Sequence, residues 1–328
     1  MTFAEFQHIR QRVLRERHGV RDCAETNLYA SLAHLIPPEK PAPELTVHRC
    51  HLAAEWVQRF GLPADTASRA LISCGVRDSL ALLFRAYAGN ETRLWLPADT
   101  YPVYGELARA AGLAPLEFRT LPEPVWPDAP PATRLEILLV TNPLKPLGRW
   151  LTGEDVNTLD EWLAASSRRR LLLDVVYTMS TQFHPTTLQL LATGQTILLH
   201  SLTKGWLHPR LFGVALVPEA DAATLTPLFR AHPPPQQNLA RARELLGRHA
   251  TLPESVASEI ATSRTRLFTA LPAGFPAMTA TDPATYFMPV MGCWSALLDT
   301  FNVLGLPASV FGSPREDITI LSSLSFVA

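Results

Sequence analysis

The feature that most restricts the fold of this chain is a series of short apolar runs that alternate with helical patterns between residues 70 and 217. The runs read ALISCG, TRLWLP, LEILLVTNP, RRRLLLDVVY, TILLHS and LFGVALV. They are apolar almost without interruption, as strands are when helices cover both faces of a parallel sheet. Strands and helices in alternation predict an α/β domain with a three-layer, mainly parallel sheet.

The segments on either side of this region predict the domain organisation. The first 17 residues carry an amphipathic helical pattern and are followed by a proline-rich stretch. After residue 218 the pattern is mainly helical to about residue 272, and short strands follow near TYFMPVMG and DITILSSLS. We therefore expect an N-terminal helix and arm over 1–48, a large α/β domain over 49–218, and a helical connection with a smaller C-terminal α+β lobe over 219–328.

Helix signals within the large domain are clear in four places. We expect helices over about His51–Phe60, Arg77–Tyr87 and Val103–Ala111. The stretch LTGEDVNTLDEWL predicts a further helix, because Thr152 can cap its N-terminus and Asp155 stands at the capping-box position.

Charge and cysteine content exclude several classes of function. With a formal net charge of −1, the chain has no broad attraction for nucleic acid or a membrane surface. The four cysteines show no CxxC spacing, which argues against a metal cluster and a disulfide scaffold and suits a reducing compartment. The first residues lack a secretory apolar segment, and no run of 18 apolar residues occurs. We expect a cytoplasmic enzyme with a small-molecule substrate and no metal.

Lysine is rare in this chain, and its positions are therefore informative. Among 29 lysines and arginines, only Lys40, Lys145 and Lys204 are lysine. Arginine cannot replace lysine where a neutral amine is needed, because its guanidinium stays protonated. Lys204 lies between two strand-like runs and is a candidate for covalent chemistry. Lys40 and Lys145 lie in the proline-containing segments IPPEKPAP and TNPLKPLG, and we expect both to be exposed in loops.

The polar residues that follow the apolar runs point to one cofactor. In an open α/β sheet, ligands bind beyond the carboxyl ends of the strands. Lys204 could form a Schiff base with an aldehyde, and Asp174 could hold a protonated pyridine nitrogen. These are two requirements of pyridoxal 5′-phosphate (PLP), whose ring then acts as an electron sink.

The remaining requirements of PLP also have candidates in the sequence. Asn142 and Tyr177 can both donate to the phenolic oxygen of the ring, and Tyr101 can stack on its face. The phosphate needs a helix N-terminus and cations. The candidates for that role are the turn Gly75, Val76 and Arg77, together with Ser201 and Arg210.

These segments together resemble a fold-type I PLP enzyme of the class I/II aminotransferase family over roughly residues 70–325. ISCGVRDSLALL resembles the phosphate-binding turn and helix, and LPADTYPVYGELARAAG the segment with the stacking aromatic residue. TNPLKPLG resembles the Asn-Pro loop, LLLDVVY the Asp-x-x-Tyr segment, and SLTKGWLHPRLFG the segment with the Schiff-base lysine. The resemblance implies a homodimer with sites at the subunit interface, acting on an amino acid, amine or keto acid.

Three departures from the family pattern bear on function. The spacing from Lys204 to Arg210 is two residues shorter than is usual in the family. In the Asn-Pro loop, Lys145 and Leu147 stand where an asparagine and a threonine are usual. The family's last strand usually holds an arginine that grips the substrate carboxylate, whereas DITILSSLS has none in register. Arg315, just upstream, or an arginine from the N-terminal segment could reach the site in its place, or the substrate is not a simple α-amino acid. Arg315 could also lie in an exposed turn.

Three functions remain open at this point. The first is an aminotransferase that works through Lys204. The second is a PLP-dependent decarboxylase, lyase, aldolase or oxidase, which the missing arginine favours. The third is a non-catalytic binding subunit, against which the retained lysine, aspartate, asparagine and tyrosine argue. Single residues also have plainer interpretations: Asp174 as a helix cap, Tyr177 as core packing, Arg77 as a solvated residue, and His208 as a packing residue or a proton carrier.

Overall fold

The computed structural model describes residues 1–38, 46–89, 91–128, 130, 132–278 and 285–327. Within these ranges the α-helices are, in chain order, α1 (Phe3–Glu16), α2 (Leu28–Ser31), α3 (Arg49–Arg59), α4 (Val76–Tyr87), α5 (Val103–Ala110), α6 (Gly153–Ala164), α7 (Pro185–Leu191), α8 (Glu219–Ala231), α9 (Gln236–Arg248), α10 (Leu252–Thr269) and α11 (Trp294–Phe301). The strands are β1 (Arg21–Asp22), β2 (Ala70–Ser73), β3 (Arg93–Pro97), β4 (Leu116–Phe118), β5 (Glu136–Thr141), β6 (Arg169–Asp174), β7 (Thr196–Ser201), β8 (Gly213–Leu216), β9 (Phe287–Met291), β10 (Val303–Leu304), β11 (Leu306–Pro307) and β12 (Ile318–Ser322).

Seven strands form the large sheet, in the order β2-β8-β7-β6-β5-β3-β4. The neighbours from β7 through to β4 pair in parallel, and β8 pairs antiparallel with both β7 and β2. Every residue of β5 and β7 is buried, as expected for strands covered on both faces. The predicted α/β fold with a three-layer, mainly parallel sheet is confirmed.

The register of the large sheet brings the polar strand ends to one edge. Thr141 at the end of β5 lies opposite Asp174 at the end of β6. Asp174 in turn lies opposite Leu199 of β7, two residues before Ser201. Because the carboxyl ends of parallel strands meet at one edge, side chains that are distant in sequence become neighbours here.

A smaller antiparallel sheet, β11-β12-β9, forms in the C-terminal part of the chain. A separate two-stranded parallel sheet pairs β1 of the N-terminal arm with β10 of the C-terminal part, and Arg21 lies opposite Val303 in it. Cys23 of the arm packs into an apolar cluster with Leu267, Met288 and neighbouring side chains of this lobe. The arm is therefore attached to the C-terminal lobe, while the boundaries 1–48, 49–218 and 219–328 stay a prediction.

Most predicted helices form within two residues of their expected ends. The capping box of α6 is confirmed: Thr152 Oγ1 accepts the Asp155 N–H at 3.2 Å, and the Asp155 carboxylate accepts the Thr152 N–H at 2.8 Å. The sequence did not reveal α7 and α11, which have seven and eight residues.

His200 of β7 anchors the strand that leads to Lys204. Its ring lies among the rings of Trp56, Phe60 and Phe183, with centroid distances of 5.9, 4.7 and 5.7 Å. The Trp56 indole N–H donates to His200 Nδ1 at 3.1 Å. Burial lowers the pKa of His200 to about 3, so this imidazole is neutral in the folded protein.

In the described ranges, no helix combines the length and apolar character that a membrane crossing needs. The same ranges hold no group of three or more His, Cys, Asp or Glu side chains placed to bind a metal ion. The polar side chains that stand out lie instead at the carboxyl edge of the large sheet.

Candidate active site

A cavity of about 1160 Å³ lies at the carboxyl edge of the large sheet. Its wall also includes the N-terminal residues 1–4, Thr26 of the arm, and Tyr286 beside β9 of the C-terminal lobe. Nine of the eleven predicted site residues line this cavity: Gly75, Val76, Arg77, Tyr101, Asp174, Tyr177, Ser201, Lys204 and Arg210. The structure thus brings these residues together, and the role of each stays a prediction.

The turn before α4 presents backbone N–H groups at one end of the cavity. Gly75 precedes the helix with a φ of 147°, a conformation that favours glycine. Ser73 Oγ braces the turn by accepting the Gly75 N–H at 3.2 Å and bonding Ser79 Oγ at 2.7 Å. Among the described side chains, none caps α4. Since the first N–H groups of a helix lack intrahelical acceptors, this end can bind an anion.

Gly213 at the start of β8 allows the sheet to close around this turn. A Cβ atom at Gly213 would lie only 2.5 Å from the Cα atom of Gly75. The same residue lies opposite Ser73 of β2 and Ser201 of β7. The glycine therefore lets two strand ends and the α4 turn meet at close range.

Asp174 is the central anion of the cavity and is only 2% exposed. Its Oδ1 accepts the Val176 N–H at 2.9 Å. Its Oδ2 accepts hydrogen bonds from the Tyr104 hydroxyl and from Lys145 Nζ, the latter at 3.3 Å. Burial, and then the charge of Asp174, raise the pKa of Tyr104 well above its usual value, so this phenol remains a donor. A buried carboxylate with these partners is fully satisfied.

Lys145 was expected to be exposed in a loop, and this expectation is wrong. Its side chain is only 11% exposed, and its Nζ lies 3.1 Å from the Tyr104 hydroxyl as well as against Asp174. The loop folds back over the sheet edge, where the Lys145 N–H donates to Thr141 Oγ1 at 3.0 Å. Burial lowers the pKa of Lys145, while the charge of Asp174 opposes this shift. The buried carboxylate is the physical reason that the lysine turns inward.

Lys204 lies in a small network of hydroxyl groups. Its Nζ donates to the Tyr286 hydroxyl at 3.2 Å, and that hydroxyl donates to the Thr26 carbonyl at 3.1 Å. The Tyr177 hydroxyl donates to Tyr286 at 3.0 Å. Burial, and then Tyr286, raise the pKa of Tyr177 well above its usual value. Lys204 Nζ and Lys145 Nζ each lie 5.0 Å from the centre of the Tyr177 ring. The Tyr177 ring is therefore close to both amines.

Tyr101 and Tyr104 form the wall beside Asp174. Tyr101 is 45% exposed at the cavity rim, and its ring lies edge-on to Tyr104 with a centroid distance of 6.0 Å. The loop before them is fixed by Asp99, whose carboxylate accepts the backbone N–H groups of Thr120 and Leu121 at 2.8 and 2.7 Å. Tyr101 was predicted from the sequence, whereas Tyr104, which follows it by three positions and is buried in α5, was not.

Asn142 does not line the cavity, which corrects its predicted role as a donor there. Its amide group donates to the hydroxyls of Thr186 and Thr187 at 3.0 and 2.9 Å. Its Oδ1 accepts the Leu151 N–H at 3.0 Å. The fully buried side chain fastens the start of α7 to the segment before α6, so its polar atoms are already used.

Two other candidates also lie outside the cavity. Arg315 forms an ion pair with Asp317 at 2.6 Å on the protein surface, which matches the exposed-turn alternative rather than the one in which it reaches the site. His208 is buried, with Nδ1 2.8 Å from the Trp206 carbonyl oxygen. This contact matches the packing interpretation of His208 and does not bring it to the cavity.

Arg77 and Arg210 are exposed and line the cavity near the α4 turn. In the short segment after Lys204, Leu207 and Arg210 adopt positive φ angles of 55° and 59°. Non-glycine residues seldom adopt this conformation. The tight path brings Arg210 back to the cavity despite its shorter spacing from Lys204.

Comparison with known proteins agrees with this arrangement. The sequence model of the family named aminotransferase class I and II matches residues 41–320 of this chain. Histidinol-phosphate aminotransferase from Paramagnetospirillum magneticum is 32% identical over 123 residues, which are 37% of this chain and 32% of that protein. The aligned part is therefore about a third of the length of that relative.

Solved aminotransferase structures share the whole fold. A probable N-succinyldiaminopimelate aminotransferase from Thermus thermophilus superposes with a TM-score of 0.75 at 19% identity, covering 98% of this chain and 95% of its own. YbdL from Escherichia coli, described as a methionine aminotransferase, gives 0.72 at 17% identity, with 100% and 95% covered. Because the family's sequence model spans most of the sequence, the chain belongs to the aminotransferase class I and II family.

Proposed function

We propose that the protein is a PLP-dependent aminotransferase that acts on an amino acid or amine through Lys204. The observation that carries this proposal is that the Lys204 amine, the Asp174 carboxylate and the uncapped N-terminus of α4 all face one cavity. Family membership supports the reaction class. We further expect a homodimer, as the resemblance implies, and a cytoplasmic location, as the cysteine content suggests.

The polar groups of the cavity fit PLP by their chemistry. An amine suits the aldehyde, a buried carboxylate suits the ring nitrogen, and free helix N–H groups suit the phosphate. Lys204, Asp174 and the turn at Gly75 would take these three roles, with Ser201 and Arg210 beside the phosphate. Tyr177, which lines the cavity, would supply the donor for the phenolic oxygen, a role predicted for both Tyr177 and Asn142. When bound, PLP supplies an electron sink for a carbanion at the substrate Cα.

The chain's own residues then hold and move protons. With its amine free, Lys204 could act as the base that removes the Cα proton of the substrate. The Tyr286 hydroxyl orients Lys204 Nζ at 3.2 Å. Asp174 keeps a positive charge on the ring nitrogen favourable. The tyrosine rings around the two lysines limit water near the reacting atoms.

A second candidate is a PLP-dependent decarboxylase, lyase, aldolase or oxidase. The observation that favours it is the position of Arg315, which pairs with Asp317, so that no described arginine of the β12 region lines the cavity. A bidentate arginine normally holds the substrate acid group in an orientation suited to proton transfer. Release of carbon dioxide from an amino acid would support this candidate over transamination.

Borohydride reduction followed by peptide mapping tests the proposal. The purified protein, saturated with PLP, is reduced, digested and analysed by mass spectrometry. We expect the cofactor on Lys204, and labelling of Lys145 or Lys40 would contradict the assignment. A Lys145→Arg variant should retain the label and a Lys204→Arg variant should lose it. Incubation with amino acids and amines should then convert the bound cofactor to its pyridoxamine form.

A further inference from the structure

Lys145 is a second amine in the cavity, and the proposed reaction requires only one. We propose that Lys145 is the specificity-determining cation that binds the substrate carboxylate. The substrate is then an amino acid that carries a carboxylate next to its reacting amine. This inference rests on the proposed function, because it assigns Lys204 and Asp174 to PLP.

Under the proposed function, the other cationic side chains of the cavity bind PLP. The described cationic side chains that line the cavity are Arg77, Lys145, Lys204 and Arg210. Arg77 lies in the first turn of α4, and Arg210 stands three residues before Gly213, which packs against the α4 turn. Both arginines therefore belong to the phosphate end. Lys204 takes the aldehyde, so Lys145 is the cation that remains for a substrate anion.

The present partner of Lys145 is the one that the cofactor requires. Asp174 Oδ1 is used by the Val176 N–H, and Oδ2 accepts from Lys145 and Tyr104. A ring nitrogen that approaches Asp174 competes with Lys145 for the same oxygen. The ammonium group stands on a flexible four-carbon stem, so Lys145 is the partner that can move. A buried ammonium released from its carboxylate is stabilised by another anion.

The geometry of the two lysines suits a compact substrate. Each ammonium nitrogen lies 5.0 Å from the centre of the Tyr177 ring, so at most twice that distance separates them. An α-amino acid whose amine takes the place of Lys204 Nζ would have its carboxylate carbon two bonds from that nitrogen. A lysine is a point charge and cannot form the parallel pair of bonds of an arginine. We therefore expect recognition of one carboxylate oxygen.

Binding of a carboxylate without an amine tests this role apart from turnover. PLP-saturated protein is titrated with propionate and with propionamide, and binding is followed by the visible absorption of the cofactor. In Lys145→Gln, propionate should bind about 10- to 100-fold more weakly, as for the loss of a charged hydrogen bond. Propionamide binding should not change. Lys145→Arg should keep most of the affinity, and Arg85→Gln, on the exposed face of α4, should keep all of it.

Chemical labelling gives a second readout, because the chain has only three lysines. Propionate should protect Lys145 of the PLP-saturated protein from acetylation, as mapped by mass spectrometry. Equal propionate affinity in wild type and Lys145→Gln, equal acetylation with and without propionate, or no saturable propionate binding by the wild type would each overturn the inference. If Lys204 carries PLP in these experiments, only the inference fails. If Lys204 takes up no PLP, the proposed function fails with it.

Discussion

Acidification should destabilise this protein through His200, a buried histidine of β7, the strand that leads to Lys204. In the folded state its pKa lies at about 3, against an ordinary value of 6.5. Between these two values the unfolded chain binds a proton that the folded protein does not. The unfolded state is therefore favoured as the pH falls below about 6.5, and stability rises again with pH.

The size of this effect follows from the two pKa values. Each pH unit in the window contributes about 1.4 kcal/mol to the free energy of unfolding. Between pH 7 and pH 5 the loss from His200 amounts to about 2 kcal/mol. This is a large fraction of the stability of an ordinary domain.

Urea denaturation at pH 7 and pH 5, followed by tryptophan fluorescence, measures this loss. In His200→Gln the side-chain oxygen can still accept the Trp56 indole N–H, but the titrating group is gone. We expect the difference between the two pH values to shrink by about 2 kcal/mol relative to wild type. His8→Gln, at an exposed position on α1, should leave the difference unchanged. An equal pH dependence in wild type and His200→Gln would refute the reasoning.

Three other variants test the site and its frame. Asp174→Ala should retain bound PLP but slow Cα deprotonation by orders of magnitude in stopped-flow spectra, and a near-wild-type rate would contradict its role. Tyr286→Phe removes the hydroxyl next to Lys204 and should slow conversion of the bound cofactor to its pyridoxamine form about tenfold. Borohydride labelling of Lys204 should persist in this variant. An unchanged rate would argue against an orienting role for Tyr286. Gly213→Ala should lower the free energy of unfolding by about 1–3 kcal/mol, because its Cβ would collide with backbone, whereas Gly247→Ala, at an open helical position, should not destabilise. Thermal melts of the two glycine variants decide that point.

The sequence predicted the residues whose positions follow from strand order. Asp174 and Lys204 could be placed because each closely follows an apolar run, and parallel strands align their carboxyl ends. Asn142 and Lys145 lie three residues apart in one loop, and the sequence alone could not show which of them faces the cavity. The backbone path of the loop decides this, and it turns the lysine towards the buried Asp174 carboxylate.

Residues supplied by distant segments escaped prediction for another reason. Tyr286 stands 82 positions after Lys204 along the chain, and its contact partner Thr26 belongs to the arm. No local pattern marks either residue, because their role arises only when the arm and the C-terminal lobe meet the large sheet. Arg315 illustrates the converse: closeness in sequence to the expected strand did not bring it to the cavity, since Asp317 holds it at the surface.

The pairing of β1 with β10 makes the arm and the C-terminal lobe move as one unit. A two-residue ladder and the burial of Cys23 in the lobe's apolar cluster fasten one to the other. A rotation of the lobe would therefore carry Thr26 along with Tyr286, and both ends of the hydroxyl bridge to Lys204 would travel together. A rotation that moves the lobe away from the large sheet would therefore also lengthen the hydrogen bond between Lys204 Nζ and the Tyr286 hydroxyl.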